Sequence, residues 1–243
     1  SYANSSEKAL ISENMGGWMT PLIKYYEWTG NKKAFELAKG FANYIVKHHK
    51  ESLKDDEVLG ISNVHGALFC IGGVLRVARH TKNKELIGWS KRLVDYAINN
   101  LATSFGWLPE HEGKGLLQES DTQSCEGCAV ADLINCCIYL AKNGYPEYWN
   151  YVERYTRNYL EEAQLKDTSW MPASAKLEDN VHESYDNIPE RVKGAYVGWG
   201  DPNDFVNPTA RVRNGLQNCC GPHAAWATFL VWHNIVTKEK DGL

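Results

Sequence analysis

Two groups of cysteines carry the chemistry that residue type and spacing suggest. Ser124-Cys125-Glu126-Gly127-Cys128 precedes one apolar run, and Asn218-Cys219-Cys220-Gly221-Pro222 precedes another. Both read as helix N-termini. Unpaired backbone N–H groups and the helix dipole favour negative charge there, which lowers a thiol pKa. Thiolates with a carboxylate suit tetrahedral zinc, and the cation offsets their mutual repulsion. The spacing leaves three readings open. One is a structural zinc site on Cys125, Cys128, Cys219 and Cys220, although adjacent ligands strain a closed site. The second is redox chemistry at Cys-x-x-Cys, without the βαβ context of thioredoxin-like motifs. The third is a Glu-x-Cys plus Cys-Cys site in which one thiolate is also a nucleophile. Cys70, Cys136 and Cys137 fall inside apolar helices and read as small buried hydrophobes. Seven cysteines is an odd number, and a 243-residue chain needs no disulfide staples, so a disulfide framework is not indicated.

Glu126-Gly127-Cys128 before one helix, with Cys219-Cys220 before a later one, resembles the bacterial β-L-arabinofuranosidases of glycoside hydrolase family 127 and their relatives. Asn63-Val64-His65-Gly66-Ala67 also looks like a substrate-side helix start of that family. The resemblance implies an (α/α)6 barrel and a zinc ion (Zn2+) held by Glu126, Cys128, Cys219 and Cys220. It implies Cys219 as the nucleophile of a retaining hydrolysis through a thioglycosyl intermediate. It also implies a general acid/base glutamate upstream of Glu126. Glu110, Glu112 and Glu119 qualify, and Glu110 is favoured because Pro109 and Trp107 could hold it rigidly. The family's Gly-Glu step falls on Gly113-Lys114, a departure. His65, His111 and His223 are candidate partners for sugar hydroxyls. Trp18, Trp107, Trp199 and Trp226 are candidate stacking platforms, with core packing the default for each. Arg211 and Arg213 could bind a carboxylated sugar or sit as surface charge.

These residues need helices to position them. One helix type recurs, starting at Thr29 (TGNKKAFELAKGFANYIV), Thr81 (TKNKELIGWSKRLVDYAI) and Asn143 (NGYPEYWNYVERYTRNYL). Phe35, Ile87 and Trp149 coincide in register, as do Phe41, Leu93 and Tyr155. Apolar spacing of three and four marks each copy as amphipathic. An apolar helix precedes each copy, roughly at 17–28, 64–80 and 128–142, and another follows Pro222 in its first turn. Gly16, Gly17, Gly66, Gly72 and Gly73 would let these inner helices pack closely. The expected fold is all-α, an (α/α)6-barrel-type toroid of inner and outer helices in one domain spanning 1–243. Six hairpins need more chain than this, so the chain is expected to hold part of a larger catalytic domain; an open helical array is the alternative. Two irregular stretches, 102–124 and 163–217, lead into the cysteine-bearing helices. Their length points to function, and short strands are expected near 192–199.

Composition excludes some classes. The net charge is −4 with no basic stripe, so a nucleic-acid partner has no electrostatic support. The longest strongly apolar stretch, 66–75, is too short to span a bilayer, which needs about 20 residues. Nine Trp and thirteen Tyr fit either a bulky core or a sugar site, because sugar faces stack on aromatic rings. With these exclusions, the resemblance implies a zinc-dependent glycosidase acting on an arabinofuranoside-like glycan. A carbohydrate-binding protein with structural zinc, or another (α/α)-barrel enzyme (a lyase or uronyl hydrolase) with carboxylate or His chemistry, stands as the alternative. The chain begins at Ser1 in mid-pattern, which leaves bacterial cytoplasm or periplasm open.

Overall fold

A computed structural model describes residues 13–52, 58–59, 63–112, 125–169, 186–200 and 219–236. Among these residues it is all-α but for one two-stranded ladder and three isolated bridges. The helices are α1 (Glu13–Thr29), α2 (Lys32–Ser52), α3 (Val64–Thr81), α4 (Lys84–Tyr96), α5 (Gly127–Lys142), α6 (Tyr148–Tyr155), the short α7 (Glu161–Ala163) and α8 (Ile188–Arg191), and α9 (Cys220–His233). Strands β1 (Cys125–Glu126) and β2 (Trp199–Gly200) pair antiparallel.

The repeat is visible in the backbone. Gly30, Lys82 and Gly144 occupy the same position in the three copies, and all have positive φ (71°, 55° and 102°). Each reverses the chain between an inner and an outer helix, as a left-handed C-cap does. Asn83 then starts α4 by accepting hydrogen bonds from the N–H groups of Glu85 and Leu86 at 2.8 and 3.3 Å. Such an N-cap satisfies donors that the first helical turn leaves open.

Inner helices α1, α3, α5 and α9 pack side by side in that order, and α2, α4 and α6 each back the preceding inner helix. The inner helices α3 and α5 are almost wholly buried. Close packing depends on glycine where expected at two places. A Cβ on Gly16 would lie 2.8–2.9 Å from Phe69 and the Cys70 backbone, and one on Gly72 would lie 2.5 Å from the Asn135 amide. Gly17 differs from expectation: it faces outward, with nothing near its Cβ position. Outer helices α4 and α6 each end in a wider π-helical turn, Ala97–Leu101 and Thr156–Leu160. The strand expected near 192–199 is shorter and later, at Trp199–Gly200, with an isolated bridge from Tyr196 to Gln164. Cys70, Cys136 and Cys137 are buried free thiols, as their positions implied.

Candidate active site

The start of α5 is built by backbone pairing. Glu126 N donates to Leu108 O at 3.2 Å, and Gly127 N donates to Gly198 O at 2.7 Å. A Cβ on Gly127 would sit 3.1 Å from Gly198 O, 3.2 Å from the Tyr159 hydroxyl and 3.4 Å from the Cys220 Cβ. The residue between Glu126 and Cys128 must therefore be small. Residues 125 and 126 point to opposite sides of a strand. Cys125 thus turns away from Glu126, and its Sγ accepts from Leu108 N at 3.3 Å. The four-cysteine reading fails on this point: Cys125 is a buried structural thiol.

Cys128, Cys219 and Cys220 do converge. Their sulfurs lie within 4.8 Å of one another, with Cys128 Sγ 3.4 Å from Cys219 Sγ and 3.2 Å from Cys220 Sγ. A disulfide would need about 2.05 Å, and all three are free thiols. Cys128 and Cys220 are buried; Cys219 is exposed. The expectation that helix N-termini lower every thiol pKa holds for one of the three. Cys220 is lowered to about 6, chiefly because the Cys128 thiol donates a hydrogen bond to it. Cys128, the donor in that bond and buried, is pushed well up. Cys219 is raised by burial of its sulfur beside the other two. Three thiols this close cannot all ionise without a cation.

Glu126 adds a second feature that suits a cation. Only 4% of the residue is exposed, and among the described residues its Oε2 has no hydrogen-bond partner. Burial, opposed by His65 and reinforced by Cys220, Glu110 and Asp132, raises its pKa to about 8. Its carboxylate acts electrostatically on Cys128 and Cys219 but lies outside the 4.8 Å group of sulfurs.

A second cluster lies beside the first. Asp132 is fully buried and accepts from His65 Nδ1 at 2.6 Å and from His223 Nε2 at 2.8 Å. The three atoms could also hold a metal. Sequence reading named both histidines and missed Asp132. The signal was available: Asp132 is the only acid in α5 and lies one turn after Cys128.

The remaining candidates separate. Glu110 is partly exposed, its backbone O accepts from Val64 N at 2.9 Å, and His111 Nε2 lies 3.6 Å from its Oε1. Glu112 is committed elsewhere. Its Oε1 accepts from Val58 N at 2.9 Å and from Leu59 N at 3.1 Å, so it pins the chain before α3. Trp107 is half-buried, edge-on to Phe105 and Tyr159 at 5.8 and 6.3 Å, which is packing geometry. Trp18 is exposed, and Trp226 packs against His223 at 5.0 Å. Glu119, Arg211 and Arg213 lie outside the described residues, as does the side chain of Trp199. Among the described residues no helix is long and apolar enough to cross a membrane.

No protein-family model matches this chain, and no curated protein matches it. Among solved structures it is similar to Ara127N-Se, a GH127 β-L-arabinofuranosidase from Geobacillus stearothermophilus T6. The TM-score is 0.46 and the identity 16%, over 58% of this chain and 27% of that one, so this chain spans about a quarter of that protein's length.

Proposed function

We propose that this chain carries the thiolate centre of a retaining glycoside hydrolase that acts on arabinofuranoside-like glycans. One observation carries the reading: three thiols not joined by disulfides meet at two helix starts, one on an exposed residue, beside a buried carboxylate whose Oε2 has no hydrogen-bond partner among the described residues. The donor set fits zinc. Cys128, Cys219 and Cys220 would hold it, with Glu126 as the fourth ligand. Bound there, zinc would keep the thiols ionised near neutral pH and make Cys219 a competent leaving group.

The chain's own groups then divide the work. Cys219, the one cysteine of the three on an exposed residue, attacks as its thiolate at the anomeric carbon, forming a C–S bond as the glycosidic C–O bond breaks. Glu110 gives its proton to the departing oxygen. In the second step Glu110, now a carboxylate, takes a proton from water. The water oxygen bonds to the anomeric carbon, the C–S bond breaks, and the Cys219 thiolate returns. Glu112 cannot serve without releasing two backbone amides, which is why Glu110 is assigned. His65 and His223 are assigned to sugar hydroxyls, and Trp107 to substrate binding as a stacking platform.

The test is zinc content of folded, reduced protein by elemental analysis, with hydrolysis of p-nitrophenyl β-L-arabinofuranoside, in wild type and Cys219→Ala. About one zinc per chain, with hydrolysis at least ~10³-fold slower in the variant, supports the reading. Absence of zinc, or activity that survives the substitution, overturns it. Surviving activity that falls on loss of a loop carboxylate or a His would point to the carboxylate-based barrel enzyme.

A further inference from the structure

Asp132, His65 and His223 form a donor set of their own beside the three thiols. We propose that they hold a second divalent cation, a first-row transition ion in six-fold coordination with two imidazoles and one carboxylate. The site needs no glycosidase activity; it needs only these three side chains.

Each donor comes from a different inner helix: His65 from the first turn of α3, Asp132 from the second turn of α5 and His223 from the first turn of α9. Helices hold side chains more precisely than loops do, which suits an ion that demands fixed geometry. One ring nitrogen of each histidine and one carboxylate oxygen lie within 4.8 Å of one another. Both Asp132 oxygens are engaged, Oδ2 with His65 Nδ1 at 2.6 Å and Oδ1 with His223 Nε2 at 2.8 Å. Donors about 2.1 Å from an ion and at right angles to each other lie about 3 Å apart. Shifts of a few tenths of an ångström therefore turn these contacts into coordination. Two imidazoles with one carboxylate suit first-row divalent ions, whereas magnesium and calcium prefer oxygen alone.

Charge favours an ion over hydrogen bonds alone. Asp132 is fully buried. His65 and Asp132 both act on the Glu126 carboxyl, and His65 acts on Cys220, so the two clusters are electrostatic neighbours. Four ionised ligands outweigh one zinc at the thiolate centre, and Asp132 adds to that buried negative charge. Protonating both histidines would offset it, but puts two like charges into rings 5.3 Å apart. One divalent cation offsets it without that repulsion. Nε2 of His65 and Nδ1 of His223 then carry the ring protons, as the second nitrogen of a metal-bound histidine does. His223 keeps 19% of its side chain exposed and lines a groove of about 420 Å³ with Phe69 and Trp226, which gives an ion a way in. With one anionic donor against four, the site binds more weakly than the thiolate centre and fills after it.

The experiment is equilibrium dialysis of reduced, zinc-loaded wild type against Co2+, with both metals counted by elemental analysis and the absorption spectrum recorded. Cobalt on thiolates shows an intense sulfur-to-metal charge-transfer band; cobalt on two imidazoles and a carboxylate does not. About one Co2+ per chain is expected beside the zinc, without that band. Asp132→Asn should abolish the uptake, and His223→Gln should weaken it at least about tenfold, each with its zinc retained. Retained zinc shows that the helix starts remain assembled, and His223→Gln tests the site even if Asp132→Asn perturbs folding. No cobalt beyond the zinc overturns the site. Uptake only at the cost of zinc, with the sulfur band, also overturns it, as does uptake that survives both substitutions. A wild type that takes up cobalt without the band but holds no zinc supports this site and overturns the thiolate centre. Binding of neither metal overturns both.

Discussion

Cys220 and Glu126 are a residue apart in chemistry and opposite in direction. In the metal-free protein Cys220 ionises early, at a pKa of about 6, because the neighbouring Cys128 thiol hydrogen-bonds to it. Reduced, metal-free protein should therefore gain one thiolate's absorbance at 240 nm centred near pH 6, and Cys220→Ser should lose it. A rise confined to pH above 8 would contradict the cluster's geometry. Glu126 goes the other way, raised to about 8 by burial. Below the ordinary glutamate pKa of about 4.3 both folded and unfolded states hold the proton, so it has no effect. Between there and pH 8 only the unfolded chain releases it, so stability falls as pH rises and levels off above 8. Cys220 opposes this between about 6 and 8.5, where its lowered pKa adds stability with rising pH. The comparison of wild type with Glu126→Gln isolates the carboxylate. Metal-free wild type should lose on the order of a few kcal/mol relative to the variant between pH 5 and 8, read from urea midpoints; parallel curves would remove the buried carboxylate from the account. The cysteines were legible in the sequence because their spacing is local to two helix starts. Asp132 was half legible: a lone acid one turn after Cys128 stands out in the sequence, but its two histidine partners lie 67 and 91 residues away, so its role as their meeting point does not.

At the scale of elements, the start of α5 is the tightest joint. Gly127 lets that turn approach Gly198, Tyr159 and α9 together, with 3.1–3.4 Å left for a Cβ. Gly127→Ala should cost about 1–3 kcal/mol, the usual range for overpacking, and should weaken zinc binding at least tenfold because it shifts Cys128 against Cys220. A thermal melt and a chelator competition read the two effects; full zinc affinity with lowered stability would separate the joint from the metal site. The loop before it offers a second contrast. Glu112→Gln should destabilise by about 1–2 kcal/mol, since a charged acceptor of two backbone amides is lost, and keep its kcat. Glu110→Gln should leave the melt unchanged and lower kcat by at least 10²-fold. The reverse pattern would move the acid/base role to Glu112. The hairpins were legible because period-3.6 apolar spacing recurs with the same left-handed turn position. The π-helical turns were not, since one extra residue per turn leaves no mark in that period. The turn at 156–160 has a consequence: it carries Tyr159, whose hydroxyl reaches Cys125 O at 3.5 Å.

Across the whole molecule, the inner helices are not held equally. Helix α3 is buried along nearly its full length, from Val64 to Ala78. Helix α9 buries only Cys220, Ala224 and Ala227, and leaves Phe229 and Trp232 exposed. Its attachment to α5 therefore leans on polar and sulfur contacts, the thiol cluster and His223 with Asp132, while Tyr196 in the segment before β2 holds Thr228 at 3.0 Å. A metal shared by Cys128 on α5 and the Cys219-Cys220 pair would tie the two helix starts directly, and metal-binding free energy becomes folding free energy for the elements it joins. Local opening should follow the same division, because segments with few buried apolar contacts open first. Removing zinc with a chelator from reduced protein should raise amide hydrogen exchange across α9 by about 100-fold, with α3 unchanged. Exchange that rises equally in both helices would mean the fold opens as one unit and that the cluster stabilises it globally. Exchange unchanged in both would mean that no metal joins α5 to α9, and the thiolate centre would lose its structural role together with its proposed chemistry.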